Sequence, residues 1–128
     1  MIRAGGRFLV PLQLVACGSK GSDSGGTCDR VPPLSYDNFG AGLLELHCTG
    51  CHGSQVPTER REGAPADVNF DTYAGVLTWA DRIEVRAVPD DADMPPGGGP
   101  SAADRALLGE WLDCTVIPDA ERWQQEQE

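Results

Sequence analysis

Aromatic residues make up only 6% of this 128-residue chain, basic residues number 10 against 20 acids, and histidine and methionine occur twice each. A chain this short has no room for separate substrate and cofactor domains; it suffices for one small domain with a modest core. The shortage of Lys and Arg leaves a formal charge of −10. A protein that binds nucleic acid duplexes needs a basic face, so nucleic acid is excluded as the expected partner. No apolar run approaches the roughly 20 residues of a membrane-spanning helix, and no internal repeat is visible. What is plentiful is Gly (16) and Pro (10), which puts much of the chain outside regular elements. Five cysteines are more than a reducing compartment usually holds without a metal or catalytic use.

Arg3 and Arg7 precede a short apolar stretch, Phe8 to Ala16, interrupted by Pro11 and Gln13. Nine helical residues span only about 14 Å, under half of a hydrocarbon core of roughly 30 Å, so residues 1–16 read as a removable export signal rather than a span. Leu14-Val15-Ala16-Cys17 resembles the lipobox of bacterial lipoproteins, and that resemblance implies an acyl chain on Cys17. The alternative is an ordinary signal peptide with Cys17 merely near the cut. Loss of Arg3 and Arg7 with the leader takes the formal charge from −10 to −12. Residues 17–35, rich in Gly and Ser and ending near Pro32-Pro33, have the composition of a flexible tether.

Residues 36–117 read as an all-α domain. Ser35 is placed to cap a helix over about Tyr36–His47, with Phe39, Leu43, Leu46 and His47 along one side. Gly40 and Gly42 weaken that helix and point to close approach of another backbone. Residues 53–69 carry Pro57, Gly63 and Pro65 without a sustained period and read as loop. Asp71 is the expected cap of a second helix, about Thr72–Ala87, whose Tyr73, Val76, Leu77, Ala80, Ile83 and Ala87 recur at helical spacing. The stretch Pro89–Pro100 breaks both helix and strand ladders. Ser101 opens a third helix to about Asp113, with Leu107, Leu108, Trp111 and Leu112 inward. The tail, residues 118–128, is polar and expected to fray, with Trp123 able to dock.

The chemistry lies in Cys48-Thr49-Gly50-Cys51-His52. Two thiols two residues apart can reach the two vinyl groups of one haem, and the following histidine can ligate its iron, which is the c-type attachment spacing. Zinc knuckles and thiol oxidoreductases also use Cys-x-x-Cys. A closed zinc site would need further ligands at short spacing, whereas Cys28 and Cys114 are distant in sequence; a thioredoxin-like site would need strands that this chain lacks.

Residues 36–114 resemble a small monohaem class I cytochrome c of bacterial lipoprotein type. The resemblance rests on Gly40 and Leu44 ahead of the motif, on Leu108, Trp111 and Leu112 of the last helix, and on Met94 in the loop before that helix. It implies three main helices around one covalently bound haem c, thioether bonds from Cys48 and Cys51, His52 as proximal ligand and Met94 as distal ligand. It also implies that the last helix crosses the first at Gly40, and that a loop proline carbonyl accepts a hydrogen bond from His52, with Pro65 the first candidate and Pro57 the second. Packing alone is the competing reading of Met94, and His47 the alternative ligand. Arg82, Arg86, Trp79 or Tyr73 are candidates to meet haem propionates.

Once Cys17, Cys48 and Cys51 are assigned, the even remainder, Cys28 and Cys114, is expected to pair as a disulfide in an oxidising compartment, with free thiols the alternative. The expected function is one-electron transfer, not enzymatic turnover, by a monomeric protein anchored in the cell envelope through Cys17 and facing the periplasm or cell surface. Its partners are expected to be redox proteins with a basic docking patch. A haem-based gas sensor or peroxidase-like enzyme with an open sixth position, and a zinc or thiol module, are the alternatives.

Overall fold

The structure, a computed structural model, describes residues 28–128, so the expected leader 1–16, the acylation site Cys17 and the tether up to residue 27 lie outside the described residues. Every regular element among the described residues is helical. A π-helical turn (Tyr36–Gly40) leads into α1 (Ala41–His47); α2 spans Tyr73–Ala87 and α3 spans Ala102–Trp111. A second π-helical turn (Leu112–Val116) carries α3 directly into α4 (Ile117–Glu126). No helix among the described residues is long and apolar enough to cross a membrane.

Each start has a local cause. The Ser35 hydroxyl accepts from the Asn38 amide while the Asn38 side chain accepts from the Ser35 amide, a reciprocal capping box. Ser101 accepts from the Asp104 amide at the head of α3. The cap of α2 is Thr72, whose hydroxyl accepts from Gly75, and not Asp71. Asp71 is drawn away because its carboxylate accepts from both the amide and the hydroxyl of Ser54, at 3.1 and 2.6 Å. Gly75 is required where it stands, since a Cβ there would lie 2.3 Å from the Asn69 carbonyl oxygen. Helix α2 is kinked at Trp79, one residue beyond Thr78, whose hydroxyl donates back to the Ala74 carbonyl at 2.8 Å, a bond that bends helices.

The core lies between α1, α2 and the continuous α3–α4 rod, with Leu44, Val76, Leu108, Trp111, Leu112 and Val116 almost fully buried. Gly40 meets the Trp111 ring, and a Cβ on it would stand 2.3 Å from two ring carbons. Gly42 meets nothing and has no such role. Leu43 is buried as expected, but Leu46, expected on the same side, is 76% exposed, and Leu44 beside it is fully buried. The five inward residues of α2 from Val76 to Ala87 are buried as expected.

Two expected irregular segments are structured. The tail continues the rod as α4, with Pro118 accommodated in its first turn, directly after the π-helical turn. Ala120 is buried, and the Tyr73 hydroxyl donates to Asp119 at 2.6 Å, tying α2 to α4. Burial, and then that carboxylate, raise the Tyr73 hydroxyl above its ordinary range. Trp123 remains 38% exposed. At the other end the chain is fastened from Cys28 onward rather than from Tyr36. Cys28 and Cys114 form a disulfide with Cα atoms 5.5 Å apart, Arg30 pairs with Glu110 through two bonds of 2.6 and 2.9 Å, and Thr115 donates to the Leu34 carbonyl.

Candidate cofactor site

Helix α1 ends at His47, and the chain turns sharply through Cys48–His52, where the His52 and Cys51 amides both donate to the Cys48 carbonyl. That turn projects Cys48, Cys51 and His52 into the wall of a cavity of about 700 Å³. Met94, from the loop between α2 and α3, lines the same cavity, as do Val68, Phe70, Ile83 and Ala87. Its size falls within the range of small-molecule and cofactor sites. The four residues singled out by sequence are therefore brought together, and His47 also borders the space.

His52 is held on two sides. Its ring stacks on Phe70 with centroids 4.7 Å apart, and the Phe70 amide donates to the His52 carbonyl at 2.8 Å. Nδ1 lies 3.0 Å from the carbonyl oxygen of Val68. A carbonyl can only accept, so Nδ1 carries the proton and the lone pair is left on Nε2. An imidazole in that tautomer is ready to bind a metal through Nε2, with its other N–H fixed by a backbone oxygen.

The acceptor is thus Val68, not Pro65 or Pro57. The Pro65 carbonyl already accepts from two donors, the Val68 amide at 3.2 Å and Arg61 at 2.6 Å, which use both of its lone pairs. Arg61 is only 3% exposed and has no carboxylate in its ion-pair range among the described residues. Its guanidinium instead gathers the carbonyls of Gly53, Ala64, Pro65 and Val68 and the Asn69 side chain, at 2.6–3.1 Å. The Ala64 amide closes a turn on the Arg61 carbonyl, with Glu62 and Gly63 both at positive φ. Glu62 adopts φ 51° without being glycine. Sequence reading missed Arg61; Glu62-Gly63 after it was the available turn signal.

Met94 is held through its backbone. Its amide donates to the Arg86 carbonyl at 3.1 Å, and its carbonyl accepts from Arg105 at 3.3 Å, while Arg105 also donates to the Ala87 carbonyl. Arg86 grips the neighbouring Asp93 through two bonds of 2.7 Å. Both are charge-assisted, and their pairing holds the Asp93 carboxyl below its ordinary range.

The cavity wall is largely apolar and carries charges of both signs, with Glu62 and Asp67 beside its arginines. In a chain with 10 basic residues, three, Arg61, Arg82 and Arg86, line this one cavity. Arg61 is committed to the loop and Arg86 to Asp93; Arg82 makes no ion pair among the described residues, although its charge also acts on Asp93. Trp79 borders the cavity, but its indole N–H donates to the Asp67 carbonyl at 3.2 Å, and Tyr73 is turned to Asp119. Burial pushes the Cys48 thiol up to about 11. Thiol–disulfide exchange proceeds through thiolate, so at neutral pH this cysteine is poorly suited to redox exchange. No group of three or more His, Cys, Asp or Glu among the described residues converges to hold a bare ion. Comparison with known proteins finds no matching family model, no matching curated protein and no matching solved structure.

Proposed function

We propose that this protein is a one-electron carrier with a single haem c, attached through Cys48 and Cys51 and ligated by His52 and Met94, in a small cytochrome c-like fold. The observation that carries the reading is the meeting of both thiols, the tautomerically fixed imidazole and the thioether on one largely apolar cavity. The donor set fits the group: two thiols for two vinyl carbons, and one nitrogen and one sulfur for two axial positions. When bound, haem with His/Met ligation supplies a reversible one-electron couple biased toward the reduced state.

The chain's own residues supply the rest. Val68 fixes the His52 ring, Phe70 covers its face, and the Arg86–Asp93 pair with Arg105 holds the backbone on either side of Met94. His52 and Met94 would hold the group from two sides and leave no open place for a substrate, so transfer would be outer-sphere. An acyl anchor on Cys17, a periplasmic or surface location and a basic redox partner complete the reading. The strongly acidic sequence supports such a partner, since opposite charge speeds transient encounter. Carbon monoxide binding to the reduced, haem-loaded protein tests it. A carrier with Met94 in place binds the gas negligibly; rapid stoichiometric binding would instead mark a gas sensor or peroxidase-like enzyme.

A further inference from the structure

Two donors converge on one backbone oxygen beside the candidate site. The Val68 carbonyl accepts from His52 Nδ1 at 3.0 Å and from Arg61 Nη2 at 3.1 Å. We propose that Arg61 is a positioning residue that sets the electron-donor strength of His52 through this shared oxygen, and with it the reduction potential. The inference rests on the haem reading above.

The physical chain is short. A carbonyl that accepts strongly from Nδ1–H draws that proton away from the ring and makes Nε2 a better donor, which stabilises the oxidised metal. A guanidinium on the same oxygen withdraws electron density from it, and so weakens its pull on the His52 proton. Arg61 is buried, so this charge is poorly screened and acts through a medium of low effective dielectric. Both effects have one sign: they disfavour the more positive, oxidised state and raise the potential. The couple remains a single electron, with no proton lost or gained, since the Nδ1 proton stays on the ring.

The bonding of Arg61 supports a role beyond solubility or surface charge. Its partners are four backbone carbonyls and one amide oxygen, all in the loop that carries Val68. A lysine could supply the charge, but not a fork reaching Gly53, Ala64, Pro65 and Val68 at once. Asn69 competes for the same Nη2, accepting from it at 2.9 Å, so its loss should turn that donor more fully onto Val68 and Pro65.

Arg61→Met, Arg61→Lys and Asn69→Ala in the haem-loaded protein form the test, read by midpoint potential, by the low-spin spectrum and by helical circular dichroism. Arg61→Met should lower the potential by roughly 59 mV, a tenfold change in the oxidised-to-reduced ratio for one electron. Arg61→Lys should recover part of that shift, and Asn69→Ala should move the potential upward. An Arg61→Met protein with native helicity, an intact low-spin spectrum and the parental potential overturns the proposal while leaving the haem reading standing. If Arg61→Met does not fold, Asn69→Ala decides, and an unchanged or lowered potential there overturns it. Parent protein that takes up no haem overturns both together.

Discussion

Gly40 and Trp111 interlock: the glycine offers its bare Cα to the indole, and any Cβ would enter the ring at 2.3 Å. This contact fixes where the first helical segment crosses the rod formed by α3 and α4, and so where α1 delivers Cys48 and His52. Trp111 is completely buried, with its indole N–H unpartnered, a cost offset by the area that the ring covers. Gly40→Ala should therefore destabilise the fold by about 1–3 kcal/mol. Urea unfolding of the single variant and of Gly40→Ala with Trp111→Leu checks this; the second change should relieve the clash, so the two effects should not add.

Removing Met94 should leave covalent haem in place and open the distal side. Met94→Ala is expected to bind carbon monoxide when reduced and to have a lower midpoint potential than the parent. A parental spectrum and potential would assign the sixth position to another residue, and His47, which borders the same cavity, is the first to test.

The disulfide should contribute stability without touching the site. Cys28 and Cys114 are separated by 86 residues, and closing a loop of that size stabilises by on the order of 4 kcal/mol in the chain-entropy account. None of the residues from Cys28 to Ser35, nor any of α3 or α4, lines the cavity. Cys28→Ser with Cys114→Ser should thus lower the denaturation midpoint and leave the potential unchanged. A shifted potential would mean that the strap and the cavity are coupled.

Acid should loosen the loop beneath His52. The Ser54 hydroxyl, its largest influence, holds the Asp71 carboxyl below its usual 3.8. A folded-state value below the unfolded one gives stability that is present above the unfolded pKa and is lost as pH falls through the folded value. Because the pair is exposed and screened, its contribution is below about 1 kcal/mol. Ser54→Ala should flatten the acid limb of the stability–pH curve as pH falls through and below the usual carboxylate range, as followed by thermal melts.

The sequence made legible what depends on short covalent spacing or strong periodicity. The Cys48–His52 motif, the Ser35 and Ser101 caps and the buried face of α2 all fall in that class, while the pairing of Cys28 with Cys114 follows only from the even remainder of cysteines. Misplaced features depend on competition over distance. Asp71 could cap α2 as well as Thr72 can, until Ser54, in a different loop, claims its carboxylate. The choice of Val68 over Pro65 as the His52 partner follows from the turn in which the Val68 amide and Arg61 both donate to Pro65, which no periodicity in residues 53–69 discloses. The polar composition of residues 118–128 suggests fraying, but the segment is helical because Ala120 and the Tyr73–Asp119 bond dock it on α2. The Gly/Ser composition up to Ser35 reads as tether because the bonds that fasten residues 28–34 reach Glu110, Cys114 and Thr115, some 80 residues away.

The central claim is covalent haem on Cys48 and Cys51 with His52 and Met94 at the iron, and one absorption spectrum tests it most directly. The full chain should be produced alongside the machinery that attaches haem to Cys-x-x-Cys-His, and purified under denaturing conditions and then natively. The account predicts colour that survives denaturation, a sharp low-spin alpha band in the reduced native protein, and a weak methionine-to-iron band near the red edge in the oxidised one. Cys48→Ala with Cys51→Ala should abolish the covalent colour. Colourless parent protein, or parent colour lost on denaturation, would contradict the account.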